Sequence, residues 1–265
     1  MKQKRIIIIG GHEQACNFLR YINKIKTYKV VMCIGRQDDT GIDGNFPSLL
    51  KLAMGCDIPI INPKNINDKI VIAAAKNLNP DIVISLQNNR ILGHDWINLV
   101  KNKLGIVNVH YAPLPKYGGY WPEMWAIWNS EKKFAVSMHY VNKGLDTGPV
   151  IAQKWFRIDK NETRLSLYKK SDRACFKLLK DNLERIMAKK LSLDPQDSKE
   201  RTYYPKSLPN NGFLDLNWDA ETQRRFIRAI AFPGFPGPKI KIGKVTYTLV
   251  YEDIEFFTAI NLSKG

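Results

Sequence analysis

Two polar side chains sit one residue apart at the end of an apolar run, Asn108 and His110 in GIVNVHYAPLPKYGGYWP. On a β-strand, residues two apart point to the same face, so the amide and the imidazole would share one side. Pro113 and Pro115 restrict the chain's exit, and Gly118 and Gly119 admit close approach of another backbone. A third group, Asp146 in NKGLDTGPVI, lies between glycines just before another apolar run. Each of these residues also has a purely structural use. A strand histidine can be a hydrogen-bonded core residue, and an aspartate in a Gly-rich turn can simply form the turn. If the three meet, they have a joint chemistry. The carboxylate orients the imidazole and offsets its charge. The imidazole moves protons near neutral pH. The amide donates a hydrogen bond to a developing oxyanion. That set suits acyl transfer to an amine, with no serine or cysteine nucleophile.

Such a trio needs a sheet whose strands end at one rim. RIIIIGG, KVVMCIG, IPII, DIVISL and GIVNVH read as strands, and the runs between them have helical spacing. Nearly continuous apolar strands interleaved with helices predict an α/β, Rossmann-like, mostly parallel sheet covered on both faces. Ligands gather at the carboxyl ends of such strands. EMWAIWNS reads as a helix, and FAVSMHYV and PVIAQKWF as a pair of strands. Positions 163–190 predict a long amphipathic helix, with Leu165, Tyr168, Cys175, Leu179, Leu183 and Ile186 at three- and four-residue steps. Turn-rich sequence starts near position 200. We therefore divide the chain into a catalytic domain, 1–200, and a small β-containing extension, 201–265, made of linker, short helix (AETQRRFIRAIAF) and terminal hairpin (KIKI and VTYTLVY).

GGHEQA follows the first strand and opens a helix, where a dinucleotide fingerprint would sit, but its third glycine is missing. The fingerprint for NAD is therefore incomplete. The turn is either a plain tight turn or an anion site built from backbone N–H groups. The chain has 265 residues, 44% of them apolar, enough for a real core. No apolar run is long enough for a membrane span, and the apolar start is too short for a signal peptide. The four scattered cysteines (Cys16, Cys33, Cys56, Cys175) point to a reduced, cytoplasmic protein without a zinc site. A net charge of +16 would suit nucleic acid, yet abundant Lys, Ile and Asn explain it as composition, and no RNA-binding motif or zinc finger is present.

The stretch NVHYAPLPKYGGYWP…WAI…AVSMHYVNKGLDTGPVI resembles the signature of the formyltetrahydrofolate-dependent formyltransferases. That family includes methionyl-tRNA formyltransferase, glycinamide ribonucleotide transformylase and the sugar-nucleotide N-formyltransferases. TYYPKSLPNNGFLDLNWDAETQRRFIRAIAFPGFPG is similar to the linker and helix after the catalytic domain of the sugar and tRNA enzymes, and together the two segments cover roughly half the chain. The resemblance implies the formyltransferase fold, N10-formyltetrahydrofolate as co-substrate, no metal, and Asn108, His110 and Asp146 as catalytic residues. It implies that SLQNNRIL holds the pterin largely through backbone groups, at Arg90, Ile91 and Leu92, with the turn at Gly144 opposite. It places substrate phosphate at Gly10, Gly11 and His12, and substrate contacts at Tyr117 and Trp121. Tyr120, Trp121 and Trp125 could stack on a base or sugar, or Trp125 and Trp128 could pack beneath the loop. In one departure, the Tyr-Arg-Gly that the family often has after Leu-Pro is here Tyr117-Gly118-Gly119.

The tail after position 205 is shorter than the barrel domain of the tRNA enzymes and longer than the transformylase branch carries, which is most like the sugar-nucleotide enzymes. The implied reaction is formylation of an amino group on a nucleotide-linked amino-deoxysugar, such as dTDP-4-amino-4,6-dideoxyglucose, as in lipopolysaccharide O-antigen synthesis. Expected partners are that sugar nucleotide and the folate, with no membrane or nucleic acid. A homodimer is expected partly through residues after Pro238, where hairpin edges can pair. The alternatives are a methionyl-tRNA formyltransferase-like enzyme and a nucleotide-binding protein.

Overall fold

The computed structural model describes residues 3–249. Met1 and Lys2, and the end of the VTYTLVY run from Val250 onward, lie outside the described residues. The β-branched, apolar runs form the predicted strands. These are β1 (Lys4–Gly10), β2 (Tyr28–Gly35), β3 (Ile60–Ile61), β4 (Ile82–Leu86) and β5 (Ile106–His110). Between them run α1 (His12–Ile22), α2 (Leu49–Met54), α3 (Lys69–Asn77) and α4 (His94–Val100). Further along the chain come β6 (Gly118–Gly119), α5 (Pro122–Trp128), β7 (Lys133–Tyr140), β8 (Val150–Arg157) and α6 (Arg164–Met187). The last elements are β9 (Tyr203–Tyr204), α7 (Ala220–Ile230), β10 (Lys239–Ile242) and β11 (Val245–Thr248).

Seven strands form one sheet in the order β3-β2-β1-β4-β5-β7-β8. The first five are parallel, and β7 and β8 add antiparallel. The fold is thus the expected mostly parallel α/β sheet, with β10 and β11 as a small antiparallel pair. Side-chain alternation splits the run of isoleucines between two cores. Ile6 and Ile8 pack with α1 and α6, while Ile7 and Ile9 pack against α3 and α4. A third core joins α5 to α7 through Met124, Ile127, Phe226 and Ile230. The long helix begins at a capping box, with Thr163 accepting from the Ser166 amide.

In parallel strands all carboxyl ends meet at one rim. Gly10 of β1 lies beside Leu86 of β4, and Leu86 beside Val109 of β5. The turn-rich reading of TYYP missed one pairing, since Tyr203 and Tyr204 run parallel to Gly118 and Gly119 as β9 beside β6. Two-residue strands carry no periodic signal, so only the folded chain reveals them.

Candidate active site

Asn108 and His110 lie on the same face of β5, as their spacing predicts, and both are partly buried. Asp146 comes back to them from the connection between β7 and β8. Its carboxylate Oδ2 stands 3.9 Å from His110 Nδ1, with the two side chains 10% and 13% exposed. His110 Nε2 lies 3.1 Å from the Tyr117 carbonyl. A carbonyl only accepts, so Nε2 carries hydrogen. Nδ1 is then the nitrogen that gains or gives a proton, and it faces Asp146. The Asp146 carboxylate is held in turn by the Gly119 amide, which donates to Oδ2 at 3.3 Å.

A fourth side chain completes the cluster. His139 stands opposite Asn108 in the β5–β7 register. Its Nδ1 is 2.9 Å from the Tyr140 carbonyl and so carries hydrogen. Its Nε2 therefore accepts from Asn108 Nδ2 at 3.0 Å and lies 3.7 Å from Asp146 Oδ1. Burial lowers the His139 pKa, against the raising effect of Asp146, and keeps this ring neutral. One Asn108 N–H is thus fixed toward His139, and the other remains to meet a ligand. Position 139 looked like an ordinary strand residue in sequence, and its one local signal is its place seven residues before Asp146.

Around this centre the expected binding residues divide. Gly10 has φ +138°, and an added Cβ would lie 1.7 Å from the Leu86 carbonyl oxygen, so only glycine closes this turn. Gly11 packs under the Arg36 side chain, which donates to the Gln87 carbonyl at 2.7 Å and pairs with Asp38 at 2.9 Å. The His12 ring stacks on Phe46 at 3.9 Å and shares a hydrogen bond of 3.2 Å with the Tyr168 hydroxyl. Burial, then the Arg36 charge, push its pKa down to about 3. The ring therefore brings no positive charge to the loop. An anion here would meet backbone N–H groups and Arg36 instead.

Two of the expected binding residues have their side chains engaged within the protein. The Arg90 guanidinium turns inward to the Pro63 carbonyl at 2.8 Å and to the Gly35 carbonyl, so it braces the loop and leaves the loop backbone, through which the pterin contact is expected, as it was. The Tyr117 ring is buried against Tyr204, and its hydroxyl donates to Glu131 at 2.7 Å, so the side chain is a packing group. Its carbonyl is the group that faces His110, 3.1 Å from Nε2. Leu92 is buried in the second core, Ile91 is exposed, and Gly144 is exposed with its amide donating to Asn142 Oδ1 at 3.0 Å. Trp121 remains partly exposed, edge-on to Tyr120 and Phe235. Trp125 stacks on Tyr204 at 4.6 Å and Trp128 packs on Trp218 at 5.3 Å, both beside the third core.

Residues 4–183 match the model of a protein family described as formyl transferase. The chain belongs to the formyl transferase family. A curated relative is the bifunctional polymyxin resistance protein ArnA of Wigglesworthia glossinidia brevipalpis, 32% identical over 234 residues. That match takes in 88% of this chain and 35% of ArnA, so the chain spans about a third of that relative's length. An N-formyltransferase of Helicobacter canadensis, solved with folinic acid and dTDP-3-aminofucose, superimposes with a TM-score of 0.73 at 26% identity, over 92% of this chain and 85% of its own. A 4-N formyltransferase of Francisella tularensis reaches a TM-score of 0.75 at 15% identity, over 93% of this chain and 96% of its own, and shows the shared fold.

In this chain the two glycines after Tyr117 are not equivalent. A Cβ at Gly119 would meet the Tyr204 carbonyl oxygen at 2.3 Å, with φ at +100°. At Gly118 the nearest atom would be 3.5 Å away, so the backbone there would accept a side chain. Among the described residues there is no group of three metal-ligating side chains and no helix long and apolar enough to cross a membrane.

Proposed function

We propose that this chain transfers the formyl group of N10-formyltetrahydrofolate to the amino group of a nucleotide-linked amino-deoxysugar. The first acceptor to test is dTDP-4-amino-4,6-dideoxyglucose. The observation that carries the proposal is the convergence of Asn108, His110 and Asp146 at the carboxyl rim of the sheet. Support comes from similarity along 92% of the chain to an N-formyltransferase solved with a folate and a dTDP-aminosugar.

In this reading the neutral sugar amine attacks the formyl carbon. The free Nδ2–H of Asn108 and the Nδ1–H of protonated His110 hold the oxyanion that forms. Asp146 offsets the imidazolium charge. The bond from carbon to N10 breaks as His110 gives its Nδ1 proton to the folate nitrogen, and the emptied Nδ1 then takes the proton that the sugar nitrogen gives up, which restores the imidazolium. The products are the N-formyl sugar nucleotide and tetrahydrofolate. The backbone of the Arg90–Leu92 loop and the turn at Gly144 would hold the pterin. The loop from Gly10 to His12, with Arg36, would meet the diphosphate, and Trp121 would flank the nucleotide.

We also propose a cytoplasmic homodimer built partly on β10 and β11, whose Ile242, Val245 and Tyr247 are exposed. A sedimentation run showing only monomer at micromolar concentration removes the dimer. The reaction is tested by offering dTDP-, UDP- and GDP-linked aminosugars with the formyl donor and following formylated products by mass spectrometry. Calorimetric titration with folinic acid and with NAD accompanies it. Product from an aminosugar and heat from the folate alone are expected. Formylation of methionyl-tRNA, with no sugar accepted, would move the activity to the tRNA branch.

A further inference from the structure

The segment between α6 and β9 crosses both loops that flank His110. On one side, Gln196 Nε2 donates to the Asp146 carbonyl at 2.8 Å and to the Gly148 carbonyl at 2.7 Å, and Arg201 donates to the Leu145 carbonyl at 3.2 Å. On the other side, the Tyr117 amide donates to Thr202 Oγ1 at 2.8 Å, and the Gly118 amide to the Thr202 carbonyl at 3.0 Å. These two loops carry the groups that face His110, the Asp146 carboxylate and the Tyr117 carbonyl.

The Asp146 turn is a strained one. Asp146 has φ +55°, a region that costs non-glycine residues energy and persists only where neighbours over-determine it. Part of that determination is internal. Asn142 Oδ1 accepts from the Gly144 amide at 3.0 Å and from the Thr147 hydroxyl at 2.7 Å. Gly148 is closed against the Tyr140 carbonyl oxygen, which an added Cβ would approach to 1.7 Å. The rest is external. Among the described residues, Gln196 is the one donor to the Asp146 and Gly148 carbonyls. Its orientation is forced, because two carbonyl oxygens only accept and the amide must turn its NH2 to them. Its own oxygen is left buried without a partner among the described residues. An unpartnered buried acceptor costs stability, which argues that this amide is kept for what its donors do.

We propose that Gln196 is a positioning residue for formyl transfer: by holding the carbonyls of Asp146 and Gly148 it keeps the left-handed turn that points the Asp146 carboxylate at His110. The proposal rests on the assignment of Asp146 and His110 to the reaction. Gln196→Glu is the sharpest perturbation, being nearly isosteric while replacing the donor by oxygen and setting a carboxylate against two carbonyls. Gln196→Ala removes the group, and Gln196→Lys restores a donor.

The variants are assayed in the full chain with N10-formyltetrahydrofolate and dTDP-4-amino-4,6-dideoxyglucose. Displacing a catalytic group by about 1 Å costs up to about a hundredfold, so kcat is expected to fall about ten- to a hundredfold in the Glu and Ala variants. Both KM values should stay within about twofold, and Gln196→Lys should recover most of the loss. In an Asp146→Asn background, Gln196→Glu should cause no further fall in kcat. An equal fall in both backgrounds would show a general structural role and overturn the proposal. Unchanged kcat in Gln196→Glu, with Asp146→Asn still impaired, overturns it and leaves the trio standing. Full turnover by Asp146→Asn would overturn the trio itself and this proposal with it. Hydrogen exchange supplies a readout that needs no acceptor. In Gln196→Glu, exchange is expected to quicken in peptides spanning 117–121 and 142–149, because the Gly119 amide donates to Asp146. Exchange there matching the unsubstituted chain would also overturn the proposal.

Discussion

Replacing Asp146 by Asn removes one charge and little else. The side chain keeps its shape, and its remaining oxygen can still accept from the Gly119 amide. In the unsubstituted chain the carboxylate stands 3.9 Å from His110 Nδ1. At an effective dielectric of about 20, that distance gives an attraction of about 4 kcal/mol once the imidazole is charged. Some solvent reaches both side chains, and the Asn dipole recovers part of the loss. About 2 to 3 kcal/mol should then be missing from the transition state, or about thirty- to 150-fold in kcat. The assay is steady-state formylation of dTDP-4-amino-4,6-dideoxyglucose at saturating donor and acceptor, with product read by mass spectrometry and folding checked by thermal melting. A variant that stays folded with kcat within about threefold of the parent would mean that His110 carries no charge in the transition state, because a charge at this distance cannot be silent beside an imidazolium.

Three further outcomes are expected. His139→Leu removes the acceptor for Asn108. It should cost about 1 to 3 kcal/mol in denaturant melts and lower kcat as the amide loses its orientation, whereas unchanged kcat would separate Asn108 from its neighbour. Burial lifts the Asp172 carboxyl to about 6 from 3.8, with the Tyr111 hydroxyl opposing the rise. A raised acid gives stability that is greatest below the unfolded value and declines as pH climbs through about 6, here by up to about 3 kcal/mol. Asp172→Asn should therefore match the parent near pH 4 and exceed it in melting temperature above pH 7, and equal melting temperatures above pH 7 would exclude a buried charge at this position. Tyr117→Phe loses the bonds to Glu131 and Asn129 and should cost about 1 kcal/mol of stability while leaving acceptor KM unchanged. A large rise in KM would return its hydroxyl to the substrate site.

The elements were legible because periodicity is local. Ile6 to Ile9 alternate between two cores, as a strand buried on both faces must. The capped, amphipathic run from Arg164 to Met187 forms one helix. The shared face of Asn108 and His110 also follows from spacing alone. His139 was not legible, since an apolar strand with one histidine reads as core until its register partner is known. Nor was the inward turn of Arg90, because nothing local shows whether a guanidinium finds carbonyls behind it or a ligand in front.

The order of residues along the chain thus sets the strands, the helices, the rim at which they end and the residue types brought to that rim. Tertiary structure alone decided the partners. Asn108 meets His139 through strand register, His110 meets Asp146 through a left-handed turn, and Gln196 reaches that turn from fifty positions away. The difference is one of range. Backbone conformation and side-chain alternation act over a few neighbouring residues, whereas hydrogen bonds and ion pairs depend on distances of about 3 to 4 Å that chain separation does not encode.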